Sequence, residues 1–336
     1  MNIDKIIKKK KIFIVAEAGN NHEGNFDKAV EMINKASECG ADAIKFQTFK
    51  TEKFVSGYYA KKAIKKLKKF ELTYDQFFKL SEISKRKKIL FMSTPLDIES
   101  AQFLNKIQSI FKIASGDNDF HDLIEVVLSF NKRVIISTGM TDIKNLNNVY
   151  KLFKKKYKKN IKKKLSFLHC VTDYPVPNKF INLNSIPYLK EKFSDIDIGY
   201  SDHSLGNLAC LGATMLEAKI LEKHFTLNKN TSSFRDHKLS ANPKELKELI
   251  SGVNKLIEAR GNYGKFILQN EKKNLLIAKR SYFLSTDLNK NDKITKKKLI
   301  MLRPRKGLFT SNQIIGKKIK KNLASGTLIK KKYLYD

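Results

Sequence analysis

The chain has 336 residues, 41% of them hydrophobic, enough to fill one large core and a small second one. Its three cysteines are odd in number, widely spaced and free of any CxxC pair, which argues against a disulfide framework and a zinc-thiolate site. A formal net charge of +34 raises nucleic acid and anionic membranes as partners, but the lysines are scattered along the whole chain, so a lysine-rich solvated surface is the simpler reading. The apolar runs are too short to span a bilayer, and Ile12–Ala16 is too short for a signal-peptide core. A cytoplasmic protein with neither a nucleic-acid nor a membrane partner is expected.

In chain order, the first apolar run, Ile12–Ala18, ends in a polar loop, Gly19–Gly24, and leaves Glu17 at its tip. Ala29, Val30, Ile33 and Ala36 then share one face of a helix from Phe26 to Cys39, with Gly40 as its terminator. A second strand, Asp42–Thr48, carries Lys45 among apolar neighbours, where a lysine points into a polar cavity or at an anion. Residues 49–70 are lysine-rich and give no clear element. A helix over Thr73–Lys88 leads to a third strand, Ile89–Thr94, and a short helix, Ile98–Ile107, to a fourth, Ile110–Ser115, interrupted by Lys112.

The fifth strand, Arg133–Gly139, passes through Ser137, and the densest basic run, Lys151–Lys164, spaces Leu152, Phe153, Tyr157 and Ile161 as an amphipathic helix followed by a loop. The sixth, Leu165–Cys170, runs into Tyr174. The last two, Ile196–Tyr200 and Lys219–Leu221, end in Ser201-Asp202-His203 and Glu222-Lys223-His224 around a Gly/Ala-rich segment. Eight strand-helix units are what a (β/α)8 barrel requires, and no GxGxxG follows any strand to favour a doubly wound sheet.

In a closed barrel the strand ends converge. Lys45 and Lys112 with the hydroxyls of Thr94, Ser115, Ser137 and Ser201 form an anion cradle suited to phosphate and carboxylate. Beside it, two histidines at matching strand ends, flanked by Glu222 and Asp202, could hold a divalent metal with positions left open. From Arg280 the texture changes to short β-like runs and turns. The domains are therefore placed at 1–265 for the barrel, 266–279 for a linker and 280–336 for a small β-rich domain.

The segments Ala16–Gly24, Gly40–Phe49, Phe111–Gly116, Ile135–Met140, His169–Pro175, Gly199–His203 and Leu221–Thr226 resemble, in order, the motif series of the N-acetylneuraminate (sialic acid) synthase family. The tail, from Arg280-Ser through Leu302-Arg-Pro304 to Ile315-Gly-Lys317, resembles that family's antifreeze-like (SAF) domain. The resemblance implies a transferase that joins phosphoenolpyruvate to an N-acylated hexosamine such as N-acetylmannosamine, with manganese or magnesium as cofactor. It implies that His203 and His224 ligate the metal and that Lys45, Thr94, Lys112, Ser115, Ser137 and Ser201 hold phosphoenolpyruvate. Glu17, Tyr174, Glu222, Asp236 and Arg303 would surround the sugar, with Glu17, Glu222 and His224 catalytic. Arg303 matches an arginine that reaches a partner subunit's barrel, which implies a domain-swapped homodimer.

The chain departs from the family pattern in Phe234-Arg235 before Asp236, in Thr172, in Arg305-Lys306, and in a shortened segment between Phe49 and Leu72. By the resemblance these positions would contact the sugar's N-acyl and distal substituents, so neuraminate, legionaminate, pseudaminate and other series remain open. Synthases of eight- or seven-carbon keto acids are the nearest rival, and a polyanion-binding protein the second. Glu17, Glu222 and Asp236 beside the anion cradle speak against the latter.

Overall fold

The computed structural model describes residues 3–232 and 234–335. The chain folds as two compact units, residues 1–261 and 262–336. In the first, eight strands alternate with helices: β1 (Phe13–Gly19), β2 (Ala43–Thr48), β3 (Leu90–Pro95), β4 (Ile110–Ile113), β5 (Arg133–Ser137), β6 (Leu165–Cys170), β7 (Asp197–Asp202) and β8 (Ile220–His224). They pair in parallel in the order β3-β2-β1-β8-β7-β6-β5-β4. Strands β3 and β4 lie side by side as well. At that seam Gln108 replaces the missing ladder: its Oε1 accepts from the Ser93 amide at 2.6 Å and its Nε2 donates to the Ser93 carbonyl at 3.1 Å. The architecture is a (β/α)8 barrel.

Strand alternation sorts the side chains. Phe13, Val15, Ala43, Met92, Ile110, Ile135, Leu168 and Ile220 pack together as one cluster, the filled interior of the barrel. Their neighbours in sequence, among them Ile14, Ala16, Ile44, Phe111 and Val134, pack in a second and larger cluster with the helices. The inner face is apolar along the lower strands and turns polar at their C-terminal ends, where Glu17 follows Val15, Lys45 follows Ala43 and Lys112 follows Ile110 by two residues. At Gly199, on β7, an added Cβ would stand 2.4 Å from the Ile220 carbonyl oxygen and 2.5 Å from Leu168.

The first helix was not visible in the sequence pattern. Helix α1 (Ile3–Lys10) is itself lysine-rich, but Ile3 packs into the interior cluster with Ile6 and Ile7 against it, closing the lower end of the barrel. Lys10 pairs with Asp42 at 2.8 Å, and Asp4 pairs with Arg133, which also holds Asp197 at 2.7 Å. Helix α2 (Phe26–Cys39) ends as expected at Gly40, whose φ of 90° is the left-handed cap that glycine adopts without a Cβ penalty.

The unassigned segment forms α3 (Thr51–Phe54) and α4 (Lys61–Phe70), and α5 (Tyr74–Arg86) opens with a Thr73/Gln76 capping box. The helix expected over Ile98–Ile107 stops at Leu104. The first half of the basic run ends helix Ile143–Tyr157, with Leu146, Val149, Phe153 and Tyr157 inward, and the second half, expected as a loop, forms a 3-10 helix, Lys158–Lys163, that buries Ile161.

The second unit has a core of Leu284, Leu288, Ile294, Ile314, Ile319, Leu323, Ile329 and Leu334. Strands β9 (Ser281–Leu284) and β10 (Leu299–Leu302) pair antiparallel, and bridges such as Phe283–Leu328 and Ile319–Leu334 complete a small β-rich fold. Among the described residues, no helix is long and apolar enough to cross a membrane.

Gly199→Ala must overpack the barrel interior. Urea denaturation should show a loss of about 1–3 kcal/mol in the first unit; a loss under half of the lower figure would mean that β7 and β8 can separate to admit a methyl group.

Candidate active site

A cavity of about 670 Å³ opens at the C-terminal ends of the strands. Its floor is a line of alternating charges. Lys45 Nζ lies 2.7 Å from Glu17 Oε2 and 3.5 Å from Glu222 Oε2; Lys112 Nζ lies 3.8 Å from Glu222 Oε1. Strand register creates this line, since Glu17 is level with Lys45 on β2 and with His224 on β8. Hydroxyls complete it: Lys45 donates to Thr94 at 3.2 Å, Lys112 to Ser137 at 2.7 Å, and Ser201 to Glu222 at 2.9 Å. Ser115, just beyond β4, accepts from the Gly139 amide at 3.1 Å.

Burial divides the charges unevenly. It lifts the Glu17 carboxyl to about 7 despite Lys45, so near neutral pH this acid can hold or release a proton. It would raise Glu222 too, but Lys112 and Lys45 on either side hold that carboxyl below its ordinary value. It would lower the Lys45 ammonium, yet Glu17 and Glu222 keep it above its usual range, whereas Lys112 is pulled down by burial against a more distant acid.

Two imidazoles stand beside the line. The His203 and His224 ring centroids are 5.2 Å apart, and Tyr174 stacks on His203 at 4.2 Å. His203 Nδ1 donates to the Val171 carbonyl at 2.8 Å; burial lowers its pKa, but Cys170, that carbonyl and Glu222 outweigh burial and raise it, so Nε2 offers a lone pair once the ring gives up its proton. His224 Nδ1 is buried and has no hydrogen-bond partner among the described residues, and burial, then His203 and Lys45, push its pKa well down, so the ring stays neutral. Two neutral-capable imidazoles with free nitrogens fit a divalent metal bound through a pair of ligands.

Asp202 does not join them. Being one residue out of step with Ser201, it points to the outer face, where Oδ2 accepts from Lys223 at 2.8 Å and Oδ1 from Tyr200 at 3.0 Å and the Ser204 amide at 2.8 Å. Among the described residues no set of three or more His, Cys, Asp or Glu side chains is arranged to hold a metal ion. Any further ligands would come from solvent or substrate.

Asp236 lines the cavity 3.4 Å from Arg235 Nε, its carboxyl raised by burial, and the Arg235 guanidinium covers the Tyr174 ring at 4.5 Å. Arg303 belongs to the second unit, where it is exposed directly after β10.

Several lining groups escaped the sequence reading. Asp117, two residues past Ser115, carries a carboxyl lifted to about 6 by burial, opposed by Lys112. The Cys170 Sγ lies 3.8 Å from His203 Nδ1. Phe54, Leu67 and Phe70 come from the segment that gave no clear element. The Gly-Asp-Asn turn after β4 was a visible signal for Asp117; no short-range pattern marks the other four.

Comparison with known proteins supplies an independent line. The model of the NeuB family matches residues 32–265, and that of the SAF domain matches residues 279–334. The chain is 35% identical to the N,N'-diacetyllegionaminic acid synthase of Campylobacter jejuni, over 96% of this chain and 99% of that protein. It is 32% identical to the pseudaminic acid synthase of the same species, over 96% of each. The crystal structure of an N-acetylneuraminic acid (sialic acid) synthetase from Leptospira borgpetersenii in complex with citrate superposes with a TM-score of 0.73 at 34% identity, over 79% of this chain and 90% of that one.

Behind the histidines, Lys223 is 1% exposed and relies on Asp202 for its counter-charge. Asp202→Ala should therefore destabilise the first unit by about 3–5 kcal/mol, and Asp202→Ala combined with Lys223→Met should recover a large part of that loss, because the uncompensated ammonium carries most of the penalty. Equal stability of the single and double variants in urea would contradict this.

Proposed function

The chain belongs to the NeuB family, with a SAF domain after the barrel, and from that premise we propose that it condenses phosphoenolpyruvate with an N-acylated hexosamine to a nine-carbon keto acid and phosphate. The observation that carries this reading is the pairing of two buried lysines, each with a hydroxyl in hydrogen-bond reach, with the two imidazoles 5.2 Å apart at one barrel mouth. Such a site neutralises a small, highly charged anion next to an electrophile.

Lys45 and Lys112, with Thr94, Ser115, Ser137 and Ser201, bind the carboxylate and phosphate of phosphoenolpyruvate. This fixes its methylene carbon toward the sugar aldehyde and removes most of the entropy cost of the encounter. A divalent cation, manganese or magnesium, held by His203 and His224 supplies Lewis-acid polarisation of the aldehyde oxygen when bound.

The enol carbon adds to the aldehyde carbon, and the electron pair of the carbonyl moves to its oxygen. Water then adds to the cationic carbon left on the enolpyruvate, losing a proton, and phosphate leaves by carbon–oxygen cleavage. Glu17, with its carboxyl near 7, is the group poised to give a proton to the new alkoxide oxygen and to take one from the attacking water, while the remaining hydroxyl proton goes to the departing phosphate. Glu222, held ionised between two lysines, stabilises the cationic carbon and orients Ser201.

Tyr174, Asp236 and the Arg303 of a second copy complete the sugar site, making the active form a domain-swapped homodimer. Chemistry confined to small, diffusible substrates is consistent with a cytoplasmic location.

Phosphate release from phosphoenolpyruvate, with manganese and a panel of N-acylated hexosamines, tests the reading. Release should require both sugar and metal, and His224→Ala should lower it roughly a hundredfold or more, the scale expected when charge stabilisation in the transition state is lost. Release with phosphorylated aldoses in place of N-acylated hexosamines would instead assign the protein to the synthases of shorter keto acids.

A further inference from the structure

Asp202 and Lys223 each stand directly before a histidine of the metal pair, yet neither lines the cavity. They face each other on the last rung of the ladder between β7 and β8, where Tyr200 pairs with Leu221, Ser201 with Glu222 and Asp202 with Lys223. Beyond that rung the two chains part. The His203 carbonyl accepts from the Val176 amide at 3.1 Å, toward the loop after β6. The His224 carbonyl accepts instead from the Ala241 amide at 2.7 Å, and the next amide, that of Phe225, donates to the Glu17 carbonyl of β1 at 2.7 Å.

Lys223 spans the parting. Its ammonium donates to Asp202 Oδ2 at 2.8 Å and to the Ser204 carbonyl at 2.6 Å, so the residue before His224 grips the residues on both sides of His203. Asp202 closes the grip, since its Oδ1 accepts from the Ser204 amide at 2.8 Å and from the Tyr200 hydroxyl at 3.0 Å. Cys210 on the helix Leu208–Met215 adds a thiol donor to Oδ2 at 3.4 Å.

The ammonium and the carboxylate are 1% and 0% exposed, so water does not compete for these bonds. Stability alone does not call for such a pair, because apolar residues of similar volume in place of a buried ion pair are often as stable or more so. What an ion pair adds is a fixed register. A cation held by two imidazoles needs both nitrogens at roughly 2 Å, so a small change in the spacing of the rings opens one of the two bonds.

We propose that Lys223, acting through Asp202 and the Ser204 carbonyl, is a positioning residue that sets the spacing of His203 and His224 and so governs affinity for the divalent cation. The proposal rests on the reading that these two histidines bind the cation. It also divides the site. Lys45 and Lys112 are held on the inner face by Glu17, Glu222 and Ser137, and the anion they receive does not depend on Lys223.

The test follows manganese binding through the electron paramagnetic resonance signal of the free ion, in wild type and in Asp202→Asn combined with Lys223→Met. That double variant removes one charge of each sign, so its affinity reports spacing rather than net charge. It should bind manganese roughly tenfold to a hundredfold more weakly, the scale seen when groups that orient metal ligands are lost. Its affinity for phosphoenolpyruvate, measured without metal, should stay that of wild type. Arg133→Met with Asp197→Asn, the matching change at the other end of β7, should leave manganese affinity as it was. Where the double variant does not fold, Lys223→Gln serves: losing a positive charge would by itself tighten cation binding, so weaker binding still reads as lost spacing. Unchanged manganese affinity in either folded variant would overturn the proposal. So would a parallel loss of manganese and phosphoenolpyruvate binding, or an equal loss in the Arg133/Asp197 control, since both mark a general loosening of the barrel. Wild type that binds no manganese, or His224→Ala that binds it as tightly, would overturn the metal reading and this proposal with it.

Discussion

Two ammonium groups, those of Lys45 and Lys112, are held inside a protein at 3% and 2% exposure, and the rest of the barrel mouth is arranged around them. An unpaired buried ammonium is costly, so each needs a counter-charge or it loses its proton. Without substrate, Glu17 and Glu222 serve, and the line Glu17–Lys45–Glu222–Lys112 balances two positive with two negative groups. The balance is uneven. Among the described residues, the partners of Lys112 are a carboxylate at 3.8 Å, a serine and a backbone carbonyl, which leaves capacity for an incoming anion where hydroxyls already point inward.

The barrel meets this demand by dividing its length. Below, Arg133 with Asp197 and Asp4, and α1 beneath the apolar interior, seal one end. Above, the inner positions of the strands turn polar within two residues of the core. The outer face of the same strand ends is secured separately by the pair Lys223–Asp202, with Tyr200 and Ser204 bonded to the same carboxylate. Stability and chemistry are thus carried by neighbouring residues on opposite faces: Ser201 turns in, Asp202 turns out.

That alternation also explains how much could be read from the sequence. A period of two is local, so Lys45 and Lys112 stood out as charges inside apolar strands, and eight such strands with intervening helices implied a barrel whose ends converge. Glu17, Ser137, Ser201, Glu222 and His224 follow from the same rule. Asp202 was credited with a place beside the metal because its sequence position is right, while its phase along β7 is wrong by one. Gln108 at the seam and Ile3 under the barrel act through contacts that no short-range pattern encodes. The cavity-lining Phe54, Leu67 and Phe70 of α3 and α4 were hidden by composition: lysines outnumber the few apolar residues of α4, and only the packed structure shows that Phe70 meets Phe234.

Equilibrium binding of phosphoenolpyruvate in the absence of sugar, compared between the wild type and Lys112→Met, tests most directly whether the buried lysines form the anion site. The account predicts that the wild type binds and that Lys112→Met weakens binding by roughly tenfold to a hundredfold, as removal of a buried charge-assisted partner should. Unchanged affinity in a folded Lys112→Met protein would show that the anion binds elsewhere, and would contradict the assignment on which the account rests.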